Sequence, residues 1–280
     1  MAIMAFFLML VQVNRVGGGV LASELSDGYN LSPTMIGLVI GSMFFAAAVV
    51  QVPVGLMLDS FGARRTLVGL SVIAVSGMIL IGFASGAAEL IIGRILVGIG
   101  HGASITGVYL LAVVWTSPER VSTVAAITIA VGGALGGILG TAPLAISFET
   151  LGFSDTFVLL AIASLFSSFL IWKLIDEKNS FTDKPNASEG LAGSLVGFFE
   201  VLKDRNLWPI FAMALCFSFP FATIGGLWAS PFLQDLHKLT SVEAGGIILA
   251  MAFGVNLGTF LYGPIDKYLT QENGLSCLAS

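Results

Sequence analysis

Apolar and polar positions in this chain alternate on the scale of whole helices rather than of single residues. Long uncharged stretches lie between Asp27 and Asp59, Arg65 and Glu89, Arg94 and Glu119, and Arg120 and Glu149, then between Asp155 and Lys173, Arg205 and Asp235, and Glu243 and Asp266. Each is close to or above the ~20 residues that an α-helix needs to cross the hydrocarbon of a bilayer. One more apolar stretch opens the chain and runs on into Asn14-Arg15. Lacking a cationic start and a small-residue cleavage site, it is expected to be the first span rather than a signal peptide. Polar clusters such as Tyr29-Asn30-Leu31-Ser32-Pro33 and Ser117-Pro118-Glu119-Arg120 mark turns between spans. The pattern predicts an all-α membrane protein with eight transmembrane helices.

Composition agrees. Hydrophobic residues make up 56% and charged residues 10%, with a mean hydropathy of +0.96, whereas soluble domains carry about 25% charged residues. The 34 glycines suit closely packed membrane helices. A formal charge of −5 spread along the loops gives no reason to expect nucleic acid as a partner. The two cysteines, Cys216 and Cys277, form neither a disulfide framework nor a metal set. The spans contain no metal-ligand cluster, no nucleophile elbow and no paired carboxylates, so no enzyme activity, metal or cofactor is expected. Gly98-Ile99-Gly100-His101-Gly102 has the look of a dinucleotide loop, but it lies inside a span, without the strand which that motif requires.

The cations set a direction. With the N-terminus in the cytoplasm, the inside loops hold Arg64, Arg65, Arg120, Lys173, Lys178, Lys184, Lys203, Arg205 and Lys267, and the outside loops only Lys238. That bias predicts a multi-pass protein of the cytoplasmic (inner) membrane, its N-terminus inside. Three units are expected: a six-helix bundle over 1–175, a cytoplasmic linker over 176–205, and an incomplete two-helix bundle over 206–280. In the linker, Leu191, Leu195, Phe198, Phe199 and Leu202 recur at helical spacing beside Glu200, Lys203 and Asp204, as in an amphipathic interfacial helix.

The chain also begins a second copy of itself. Leu25, Asp27, Leu31, Ser32 and Gly37 have counterparts Leu233, Asp235, Leu239, Thr240 and Gly245, all 208 residues on, and Asp59 pairs with Asp266 one residue short of that offset. These are parallel repeats, related by an axis along the membrane normal. The second copy reaches only its second helix, so about four more helices are expected beyond this sequence.

The turn Gly55-Leu56-Met57-Leu58-Asp59-Ser60-Phe61-Gly62-Ala63-Arg64-Arg65 resembles the signature of the major facilitator superfamily between its second and third helices. Arg94-Ile95-Leu96-Val97-Gly98-Ile99-Gly100 is similar to the family's fourth-helix motif. Gly132, Gly133, Gly136, Gly137, Gly140 and Pro143 resemble its glycine-rich fifth helix, although the full Gly-Pro pair associated with antiporters is missing. Gly225-Gly226-Leu227-Trp228-Ala229-Ser230-Pro231 is similar to bacterial members. The resemblance covers essentially the whole chain and implies a major-facilitator-like bundle, here with eight of twelve helices. It also implies a conformational latch formed by Gly55, Asp59, Gly62, Arg64 and Arg65, with Asp59 docking on an eleventh helix. Ser60 stands where the family usually has Arg, which is expected to weaken the latch. Gly55 suits close backbone approach and Gly62 a tight turn, and Gly98, Gly132, Gly136, Gly140 and Pro143 are read as helix-packing positions.

Ionisable groups within spans are costly and usually face a cavity or a partner. Arg15, Arg94 and His101 are the candidates, with Asn14 beside Arg15. Arg94 and His101 are two turns apart and share a helix face, and Tyr109 projects about 60° from Arg94. No Asp or Glu lies centrally in a span, so a net positive cavity is expected. It would suit a small organic anion held by Arg15 and Arg94, with His101 as the proton-coupling group. Alternatively, Arg94 snorkels to the outer interface or braces a helix, and His101 hydrogen-bonds to a neighbouring helix. The expected function is secondary active transport by alternating access, with a small-molecule substrate, a proton or other coupling ion, and the lipid bilayer as partners. The alternatives are a non-transporting scaffold or sensor, or an inactive truncated carrier.

Overall fold

Local chemistry starts and stops the helices where the polar clusters predict. The first chain segment forms α1 (Ala2–Val16) and α2 (Gly18–Tyr29), which meet at a 41° bend. Asn30 closes α2 in the left-handed region at φ 51°. Ser32 then caps the next helix, its hydroxyl accepting the Met35 N–H at 3.3 Å, and Pro33 occupies the first turn, where a missing N–H costs nothing. This helix, α3 (Pro33–Gly82), contains two spans, Pro33–Leu58 and Ser60–Gly82, broken at Gly62 with φ 83° and ψ 167°. That backbone geometry is open to glycine and strained for other residues. The fourth span is α4 (Ala87–His101) followed by α5 (Ser104–Trp115). The fifth is α6 (Val121–Leu139) with α7 (Ala142–Leu151), and the sixth is α8 (Phe153–Leu174). In this computed structural model the described residues are 1–175, 203–209, 211–213, 216, 223–224, 228–254 and 257, with Asp27 and Asp59 described by backbone alone. The amphipathic segment over 191–202 and the repeat partner Asp266 lie outside them.

The repeat is visible in the backbone. Beyond the sixth span, α9 (Ala229–His237) ends at Lys238 in the left-handed region, φ 56°. The next helix, α10 (Ser241–Gly254), starts from Thr240. Thr240 Oγ1 accepts the Glu243 N–H at 3.3 Å, and the Glu243 carboxylate accepts the Thr240 N–H at 2.9 Å, a reciprocal cap. Asn30 and Lys238 are the only described non-glycine residues with positive φ, and they stand 208 positions apart, as do the caps Ser32 and Thr240. Two copies of one corner are therefore built on one backbone plan.

Within a bilayer, helices gain little from leaving lipid and associate through close packing and hydrogen bonds. Glycines supply the packing. A Cβ on Gly77 would stand 2.6 Å from the Gly93 carbonyl oxygen, and one on Gly132 2.6 Å from that of Ala5. Substituents at Gly98 and Gly136 would overlap the Met43 and Met9 carbonyl oxygens. The third and sixth spans are joined at three heights. Ser154 Oγ donates to the Gly82 carbonyl at 2.6 Å, Ser164 Oγ to Met78 Sδ at 3.7 Å, and the Arg64 guanidinium lies 4.1 Å above the Trp172 ring. The buried apolar core divides into two clusters. One includes Val13, Leu21, Leu25, Met43, Val97 and Phe157; the other includes Phe7, Val11, Val54 and Ala103. Asn14, Ser71 and His101, all buried, fall along their helices near where one cluster gives way to the other.

Candidate functional site

The first span places Phe7 and Asn14 on one face, two turns apart, and the fourth places Arg94 and His101 at the same spacing. The two faces meet in antiparallel order. Arg94 Nη1 donates to the Asn14 carbonyl at 3.3 Å, and the His101 ring stands edge-on to Phe7 with centroids 6.3 Å apart. The acceptor of that bond is the Asn14 backbone carbonyl, and the Asn14 side chain separately donates from Nδ2 to the Leu10 carbonyl at 3.0 Å. Arg15, next to Asn14 in the chain, is half-buried.

This seam is under-satisfied. Arg94 is 1% exposed, and its Nε and Nη2 have no hydrogen-bond partner; nor has His101 Nδ1, in a side chain 3% exposed. Among the described residues no carboxylate pairs with Arg94. The guanidinium borders a cavity of about 10 Å³, walled by Asn14, Gly17, Leu144, Phe148 and Phe157 among others. That is at the lower limit for one water molecule. A second cavity, about 110 Å³, lies between the two related corners and is lined by Ser23, Ser26, Trp228, Gln234 and Asp235 among others. Among the described residues no group of three or more His, Cys, Asp or Glu could hold a metal.

The structure therefore brings together Asn14, Arg15, Arg94 and His101. Tyr109 is not with them: it is 49% exposed, and a turn at Gly102–Ala103 separates α5 from α4, so projection along one unbroken helix does not locate it. Arg94 does not snorkel. The fourth span starts at Ala87, ahead of the Arg94 boundary expected from charge, which puts Arg94 two turns inside the helix. Among the described residues nothing comes within 4 Å of where a Cβ on Gly55 would stand. Gly140 lies beside the Val13 backbone, and Pro143 occupies the first turn of α7. In the Asp59 turn, Thr66 Oγ1 donates to the Met57 carbonyl at 3.0 Å, Arg64 stacks on Trp172, and Arg65 is exposed.

Sequence reading passed over Gln51, Gly17 and the cavity's aromatic wall. Gln51 Nε2 donates to the Gly102 carbonyl at 3.3 Å, at the interruption of the fourth span. A lone amide in an apolar stretch was the available signal for it, and the run Gly17-Gly18-Gly19 was the signal for the bend. Phe148 and Phe157 carried no such signal, because apolar residues in apolar helices look alike.

Among the described residues, five helices long and apolar enough to cross a bilayer, or six with the bent first pair counted as one span, make this a polytopic membrane protein. Residues 1–272 match the family model of the Major Facilitator Superfamily, and the chain belongs to that family, whose members are transporters rather than enzymes. It is 28% identical over 271 residues to the hexuronate transporter of Bacillus subtilis (strain 168), covering 93% of this chain and 62% of that protein. It is 25% identical over 165 residues to the probable sulfoacetate transporter SauU of Cupriavidus necator, covering 59% of this chain and 38% of that one. The chain thus spans about three-fifths or less of these curated relatives' length. Its fold matches the crystal structure of a bacterial homolog of the human lysosomal transporter Spinster, inward-facing and unoccupied. The TM-score is 0.73 at 17% identity, over 97% of this chain and 62% of that one.

Proposed function

We propose that this protein works in secondary active transport of a small organic anion across the cytoplasmic membrane, by alternating access of two repeated bundles. The observation that carries this reading is the unpaired guanidinium of Arg94. A buried charge without a partner is expensive, and a ligand carboxylate would supply the missing acceptor for Nε and Nη2 together, in the two-pronged geometry that arginine favours. Arg15 adds a second positive charge beside the same seam, and Asn14 holds Arg94 in place through its carbonyl. His101, the imidazole on this seam, is the group through which proton coupling would run. Two relatives named for anions, a hexuronate and a sulfoacetate, support the substrate class.

In this reading the N-terminus is cytoplasmic, residues 1–175 form the first bundle, and 176–205 link it to the second. The Asp59 turn, with Gly62, Arg64 and Arg65, serves as the inner latch. The test is uptake of D-glucuronate and of D-glucose by liposomes containing the protein. Glucuronate should accumulate, glucose should neither accumulate nor compete, and Arg15→Ala should slow uptake about tenfold, the loss of one charge-assisted contact. Equal uptake of the two sugars, or uptake indifferent to Arg15→Ala, would remove the anion assignment.

A further inference from the structure

We infer that the break in the first span at Gly17 is a hinge that controls access to Arg94. The inference rests on Arg94 as the anion site and adds how that site opens. At about 10 Å³ the cavity beside the guanidinium cannot hold a carboxylate, so its walls must move. They are placed to do so. Val13 and Asn14 line it from before the bend, Gly17 and Leu21 from after it. Leu144 and Phe148 line it from α7, beyond the second break at Gly140–Thr141. Arg94 itself sits on α4, which is unbroken around it. A change of angle at Gly17 therefore moves walls past a fixed cation.

The hydrogen bonds make the bend a two-position element. In a continuous helix the Asn14 carbonyl would accept the Gly18 N–H, four residues on. Here α1 ends at Val16 and α2 starts at Gly18, so that carbonyl has left the helical ladder, and Arg94 Nη1 takes it at 3.3 Å. Straightening the span returns the carbonyl to Gly18 and frees the guanidinium for an anion; bending restores the present bond and closes the cavity. Glycine at position 17 permits the bent form to pack. A Cβ there would stand 2.5 Å from Leu144 Cδ2 and 2.7 Å from the Val13 carbonyl oxygen.

The test is the rate at which N-ethylmaleimide alkylates Leu160→Cys, at a half-buried position on the cavity wall. It is run on the full chain in membranes with Cys216→Ser and Cys277→Ser. Every variant also carries Leu144→Ala, which gives room at position 17 and guards against misfolding. Gly17→Ala, which favours a straight helix, should speed labelling at least about fivefold relative to Leu144→Ala alone. Gly18→Pro, which removes the N–H that a straight helix would give to the Asn14 carbonyl and suits the first position of α2, should slow it by a similar factor. A packing role alone would move both in the same direction. Equal rates, or shifts of the same sign, would overturn the hinge whether or not transport is intact. Opposite shifts that D-glucuronate leaves unaltered would uphold the hinge and overturn the anion reading.

Discussion

Two seams between antiparallel helices carry polar contacts from span to span, and they are finished differently. Between the third and sixth spans, two polar side chains find an acceptor and a cation finds a ring: Ser154 the Gly82 carbonyl, Ser164 the Met78 sulfur, Arg64 the Trp172 face. Between the first and fourth spans, Arg94 makes one bond at 3.3 Å and keeps two donors unpartnered, and His101 keeps one nitrogen so. Both seams are made by the same kinds of helix in the same solvent. Among the described residues Arg64 Nε too is without a hydrogen-bond partner, but Arg64 is half-buried with its guanidinium over a ring, whereas Arg94 is 1% exposed with two donors unpartnered. The depth at which the cation is left unsatisfied is what separates site from scaffold.

That contrast can be broken first at Arg94. Arg94→Met should cut D-glucuronate uptake about 100-fold or more, the usual cost of losing one side of a buried charge pair. Thermal unfolding in detergent should not come earlier, because an apolar chain of similar length removes an uncompensated buried charge. Retained uptake with a lowered melting temperature would make Arg94 a brace, and the two seams would then be alike. Gly77→Ala addresses the scaffold. Its Cβ meets the Gly93 carbonyl backbone, so about 1–3 kcal/mol of overpacking strain should appear as a lower melting temperature. Uptake by the fraction that remains folded should stay near the parent's. The smallest effect is expected at Trp172→Leu, which removes the stacking partner of Arg64 at a half-exposed site and should cost about 0.5–1 kcal/mol. Trp172→Phe should lose less, and a melting temperature unmoved by either would show that the ring carries none of the seam's stability.

Much of the fold was legible because a bilayer imposes a coarse rule. Charges cannot sit in hydrocarbon without cause, so Asp59, Arg65, Arg120 and Asp155 lie at or near helix boundaries, and the structure turns near them. The repeated corner was legible too, since a cap needs its hydroxyl at a fixed distance from the turn. Arg94 misled that reading as a boundary because it obeys a different rule: it is charged and inside. The turn at Gly102–Ala103, which lies between Arg94 and Tyr109, had no signature in helical spacing.

By itself, then, the order of residues determined the solvent, the repeated corner and the short roll of polar groups that could matter. These are local or periodic properties, and each follows from whether a segment of given length can lie in lipid. Only the tertiary structure decided which polar groups meet, which are satisfied, and that Gly17 bends the first span against α7 beside Arg94. Those outcomes depend on atoms brought together from spans far apart in the chain, and helical periodicity specifies a face without specifying what that face will touch.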